Sequence, residues 1–87
     1  MDGIRTAREL GSQLRAERRR AGLTQVDLAE RSGVSRPTLR QIEAGHPTGE
    51  LGKVLAVVTT LGLQMRLEAA PEPTFGLDSF DLDTMPL

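Results

Sequence analysis

Cysteine, tryptophan and tyrosine are all missing from this chain; two phenylalanines are its only aromatic residues and His46 its only histidine. Without cysteine there is no disulfide staple and no thiolate metal site. Without tryptophan and tyrosine there is no aromatic platform on which single-stranded bases could stack. No apolar run approaches the ~18 residues of a membrane span, and the first residues are not a basic-then-apolar leader. A soluble, cytoplasmic chain that engages no membrane is the expectation. Catalytic chemistry is equally thin. No carboxylate pair stands at a recognisable distance from a partner base, and His46 beside Pro47 reads as an exposed, idle imidazole in a loop. Gly52-Lys53 resembles the end of a P-loop, but Pro47 stands where its first glycine belongs and Val54 where its hydroxyl belongs. No enzyme, no bound metal and no cofactor is expected.

What is present is modest in size and uneven in charge. A domain of 87 residues buries only about 60% of its unfolded surface, so its core is compact or completed by another subunit. The net charge of −1 hides a division. All 11 Lys and Arg lie in residues 1–69, together with eight of the 12 acids, a balance of +3. Residues 70–87 hold Glu72, Asp78, Asp81, Asp83 and no base, a balance of −4. A mildly basic domain therefore carries an acidic tail.

The basic part reads as a series of short helices. Thr6 with Glu9 is a capping box that starts a first helix at Ala7, with Ala7, Leu10 and Leu14 on one face and Gly22 at its end. Thr24 with Asp27 opens a second helix, in which Leu23 and Leu28 fit a hydrophobic staple. Gly33 turns the chain, and Val34 plugs the angle. Ser35 caps a third helix with Pro37 in its first turn, Leu39 and Ile42 facing inward and Gly45 ending it. Pro37, Arg40, Gln41 and Ala44 then point outward, flanked by Arg36 and Thr38. A fourth helix is expected from Thr48 or Gly49, with a stripe of Leu51, Val54, Leu55, Val58 and Leu61 ending at Gly62. Beyond it Leu63, Met65 and Leu67 alternate with polar residues, the pattern of a half-buried strand. Nothing else in the chain reads as a strand, so a two-fold copy of this one is the cheapest partner, closing a homodimer.

Two short helices joined by a glycine turn, the second with arginine, glutamine and threonine outward, form the pattern of a helix-turn-helix DNA reader. Arginine offers paired donors to guanine, glutamine reads adenine, and threonine offers a hydroxyl or a methyl. Arg36, Thr38, Arg40 and Gln41 supply that chemistry. The start of the second helix, Thr24 and Gln25, offers N–H groups and an amide to a phosphate. Ser35 and Arg19 are further phosphate candidates. A polar outer face is also what any solvated helix pair shows. The ordered set Gln25, Ala29, Gly33, Val34, Ser35, Leu39, Ile42, Glu43 and Gly45 is more specific: across roughly residues 6–62 it resembles the lambda-repressor-like, Xre-type helix-turn-helix family.

The resemblance implies an all-α fold of about four helices with base-facing Arg36, Pro37 and Gln41. Pro37 departs from the family's polar residue there and offers apolar contact only. It also implies an ion pair between Arg18 and Glu43. The passage from the fourth helix into a strand and tail resembles the HipB-type antitoxins, whose strand pairs across a dimer. Residues 1–69 would then be the DNA-binding and dimerisation domain, with Leu63, Met65 and Leu67 as the dimer strand. Residues 70–87 would be a flexible tail whose Phe75, Leu77, Phe80, Leu82, Met85 and Leu87 order on a partner, unless they are a frayed terminus. The implied function is an antitoxin of a type II toxin–antitoxin system that binds double-stranded operator DNA, represses its own operon and holds a HipA-like serine/threonine kinase toxin. A stand-alone Xre-family repressor without a toxin, and an interaction module that touches no DNA, are the alternatives.

Overall fold

The computed structural model describes residues 3–46 and 50–71. Helix α1 is Ala7–Arg20, α2 Gln25–Ser32, α3 Arg36–Glu43 and α4 Leu51–Thr60. Three of the four starts follow from short polar side chains. Thr6 Oγ1 accepts the Glu9 N–H at 3.0 Å while Glu9 Oε1 accepts the Thr6 N–H at 3.1 Å. Thr24 and Asp27 make the same reciprocal pair, both bonds 3.0 Å. Ser35 Oγ accepts the Thr38 N–H at 3.1 Å. The α4 N-cap, Glu50, makes no side-chain cap, and the expected start at Thr48 or Gly49 lies outside the described residues.

Each helix ends in the same way. At the α2 terminus Gly33 takes φ 74°, and the Val34 N–H donates back to Ala29 O at 3.1 Å. This places Val34 under the turn, where it is buried. A left-handed residue there is what glycine permits and what a β-carbon resists.

The core is Leu14, Leu28, Ala29, Val34, Leu39, Ile42, Val57 and Val58, with Leu10, Leu23, Val54, Leu61 and Leu63 partly buried against it. Leu14, Leu28, Leu39 and Val57 are the largest side chains buried completely, each worth about 1.5–3 kcal/mol against exposure. Helix α2 packs on α3 and α4, and α1 packs on α3. Gly11 makes the last contact possible: a β-carbon on it would come 2.5 Å from Ile42 O and 2.6 Å from Glu43 O.

One expectation needs correction. The inward face of α4 centres on Val57 and Val58, whereas Leu51 and Leu55 are exposed; a helix with apolar residues on more than one face does not declare which one packs. Within the single chain Leu63, Met65 and Leu67 form no strand; the ladder expected for them is with a second copy. A strand is defined by its ladder, and the four helices present no sheet edge for it to join. Leu63 packs on the core, while Met65 and Leu67 face outward. The tail expected to hold a partner lies, beyond Pro71, outside the described residues.

Candidate nucleic-acid interface

Leu39 and Ile42 fasten one side of α3 to the core, which leaves Arg36, Pro37, Arg40, Gln41 and Ala44 exposed on the other. Thr38 is half-buried, and its hydroxyl accepts a hydrogen bond from Ser35 Oγ at 2.8 Å. Pro37, Arg40, Gln41 and Ala44 line one open depression of about 480 Å³. Gln25 of α2, Arg15 of α1, Glu43 and His46 complete its wall.

A charged network beneath this surface sets the angle between the two helices. Arg18 Nε donates to Glu43 Oε2 at 2.7 Å and Nη2 to Oε1 at 3.2 Å. Nη1 donates to Leu23 O at 2.9 Å. Gln25 Nε2 adds a bond to Glu43 Oε1 at 3.1 Å. The end of α1, the start of α2 and the end of α3 thus meet at one carboxylate. The Arg18 and Glu43 side chains are only 9% and 4% exposed. No buried side-chain polar atom among the described residues lacks a partner, the condition under which such a network rigidifies.

The helix starts are partly committed. The Thr24 N–H is taken by Asp27 and its hydroxyl accepts the Asp27 N–H, leaving the first main-chain N–H groups of α2, at Gln25 and Val26, without an intrahelical partner. Asp27 places a negative charge at the same end. Its carboxyl is held below the ordinary carboxylate range, first by the Thr24 N–H, then by the Thr24 hydroxyl, with a weaker pull from Arg31 against slight desolvation. The Ser35 hydroxyl is likewise spent on Thr38, so its main-chain N–H is the group left for a phosphate.

Arg19, the phosphate candidate, differs from its neighbour Arg20. Arg20 pairs with Glu17 at 3.1 Å, whereas Arg15, Arg19, Arg36 and Arg40 have no acidic partner within 4.0 Å among the described residues. The surface is therefore basic where α3 is exposed, and its arginines are free to meet an anion. Two members of the depression, Arg15 and His46, were not among the residues expected to face DNA; His46, expected as an exposed loop residue, is exposed. Arg15 stands one turn before Arg18, which was its only signal; His46 had none beyond following the α3 glycine.

Residues 9–70 match the family of the helix-turn-helix domain, and the chain belongs to it, in the class of DNA-binding transcriptional regulators. The chain is 38% identical over 69 residues, 79% of its own length and 91% of the relative's, to the uncharacterised HTH-type transcriptional regulator y4mF of Sinorhizobium fredii. Its fold is that of HipB. The HipB-O4 20mer complex superposes with TM-score 0.74 at 24% identity, covering 80% of this chain and 99% of that one. The HipA-HipB-O2-O3 complex gives 0.73 at 23% identity, covering 79% and 97%. The restriction-modification controller protein C.AhdI from Aeromonas hydrophila gives 0.61 at 31% identity, covering 67% and 88%. No described helix is long and apolar enough to cross a membrane. No group of three or more potential metal ligands occurs among the described residues.

Proposed function

We propose that this protein is a homodimeric, sequence-specific antitoxin that represses its own operon and binds a HipA-like kinase toxin in the cytoplasm. It reads DNA and catalyses nothing. The observation that carries the DNA half is the convergence of Pro37, Arg40, Gln41 and Ala44 on one open basic depression with Gln25. In a dimer two such faces meet successive major grooves about 34 Å apart. Arg36, Arg40 and Gln41 contact base edges, Pro37 and Thr38 add apolar or hydroxyl contact, and Thr24, Gln25, Ser35 and Arg19 hold phosphates. Support for the toxin half is the likeness of fold to HipB, which is known in a HipA-HipB-O2-O3 complex.

Footprinting and competitive binding on the DNA upstream of the chain's own gene test the DNA half. Arg36→Ala and Gln41→Ala each lose about 1–3 kcal/mol of discrimination between matched and altered sites, with the melting temperature unchanged because both side chains are exposed. Variants that bind as tightly and selectively as the unaltered chain sink the assignment. Co-purification with a neighbouring kinase, with and without residues 70–87, tests the toxin half. A stand-alone repressor is the second reading, favoured by the likeness to y4mF, named as an HTH-type transcriptional regulator, and to C.AhdI, named as a restriction-modification controller protein; absence of any kinase-like neighbour supports it.

A further inference from the structure

The α3 face carries more positive charge than the acids around it balance. Arg15 and Arg40 line its depression, Arg36 is exposed on the same helix, and none of the three has an acidic partner within 4.0 Å among the described residues. Most acids of those residues are committed elsewhere. Glu43 is held by Arg18, Glu17 by Arg20 and Glu50 by Lys53, while Glu9 and Asp27 serve helix caps. The complementary charge lies in the same sequence: residues 70–87 hold four acids and no base. Resting on the DNA reading above, we propose that this acidic tail docks on the protein's own α3 face when DNA is absent, and so competes with DNA for it.

The match is one of pattern as well as sign. Asp78, Asp81 and Asp83 bracket Phe80 and Leu82, and the α3 face sets exposed Pro37 and Ala44 among its arginines. A carboxylate meets a guanidinium in the same two-pronged geometry as a phosphate, so the aspartates take the places that DNA would take. Reach is sufficient. From Pro71 the twelve residues to Asp83 extend to about 40 Å, against 48 × 27 × 19 Å for the fold. Tethering on this scale gives an effective concentration of about a millimolar, so even a weak contact is populated. Arg5 and Arg66 stand beside Pro71, where the tail departs, but Glu68 shares their depression. The acid within the α3 depression, Glu43, is already matched by Arg18.

The chain has no cysteine, so Ser79→Cys takes a nitroxide label at one place, between Asp78 and Phe80. In DNA-free protein at low salt the label is expected to broaden the backbone NMR signals of residues 36–44. The broadening should vanish near 1 M salt, where the Debye length is about 3 Å. Fluorescence anisotropy on a labelled random duplex reads the competition. A tail seated nine-tenths of the time raises the apparent Kd about tenfold. The full-length variant Glu72→Gln/Asp78→Asn/Asp81→Asn/Asp83→Asn therefore binds duplex about tenfold more tightly at low salt, with an unchanged melting temperature and a gap that closes as salt rises. An undocked acidic tail also repels DNA, but it leaves the α3 signals sharp. Sharp α3 signals, broadening confined to the cleft of Ile4, Met65 and Leu67, or equal affinity of the two chains overturns the inference. If neither chain binds duplex, the DNA reading falls, and the broadening alone decides whether the tail sits on α3.

Discussion

Glu43 is the residue on which the geometry of the reading surface turns. It receives two bonds from Arg18 and one from Gln25, and it sits one residue beyond the buried Ile42. Removing one member of a buried pair costs about 3–5 kcal/mol, because the remaining charge stays desolvated and alone. Total stabilities run about 5–15 kcal/mol, so Glu43→Ala is expected to lower the chemical-denaturation midpoint severely. Replacing both partners, Arg18→Met with Glu43→Leu, recovers most of that loss, since neither charge is then buried. If the single and double variants are equally unstable, the pair is not what holds the three helix ends. Gly11 makes the opposite argument about size. In an open helix Gly→Ala gains about 1 kcal/mol, but here the added carbon strikes two α3 carbonyl oxygens at 2.5 and 2.6 Å. Those atoms are backbone and cannot swing aside. Overpacking of this kind costs about 1–3 kcal/mol, so Gly11→Ala is expected to lower the melting temperature and, by pushing α3 outward, to weaken DNA binding.

At the scale of elements, caps and glycine stops decided how much could be read in advance. Thr6 with Glu9, Thr24 with Asp27, and Ser35 each begin a helix where a short oxygen-bearing side chain precedes an apolar period, and Gly22, Gly33, Gly45 and Gly62 end them with positive φ. Such signals are local, so they survive without knowledge of the fold. The outward set on α3 was legible for the same reason, because Leu39 and Ile42 fix the helix's rotation. What was not legible depended on a second element. Gly11 reads as an ordinary helix glycine until α3 lies against it. Arg15 reaches the depression only because α1 packs on α3, and α4 could not be oriented from an apolar pattern that nearly encircles it. The α2 cap also carries a pH signature. With its folded-state pKa lowered by the Thr24 N–H and hydroxyl, ionised Asp27 contributes stability above the ordinary carboxylate range and loses it as pH falls through the folded value. Asp27→Asn is expected to melt below the unaltered chain at neutral pH, and the gap should close in acid. A gap that persists unchanged at low pH assigns the difference to something other than the carboxylate.

At the scale of the whole molecule, the apolar residues left on the surface bear on assembly. Leu67 is 98% exposed and Met65 46%, and Ile4 at 49% lines the same cleft as both. A small domain that leaves such side chains in water has more to gain from a second copy than from any rearrangement of its own core. Leu63, on the same alternating pattern, is packed on the core, so its substitution would confuse folding with association. Leu67→Lys separates them, since a side chain that contacts almost nothing in the single chain can be changed without cost to its fold. The unaltered chain is expected to sediment as a dimer and its melting temperature to rise with concentration. Leu67→Lys should sediment as a monomer, lose that concentration dependence, and bind a two-half-site duplex no better than a single half-site. Dimeric sedimentation and undiminished two-site binding by the variant would remove Leu67 from the proposed interface, and with it the proposed strand pairing that would set the spacing of two reading helices.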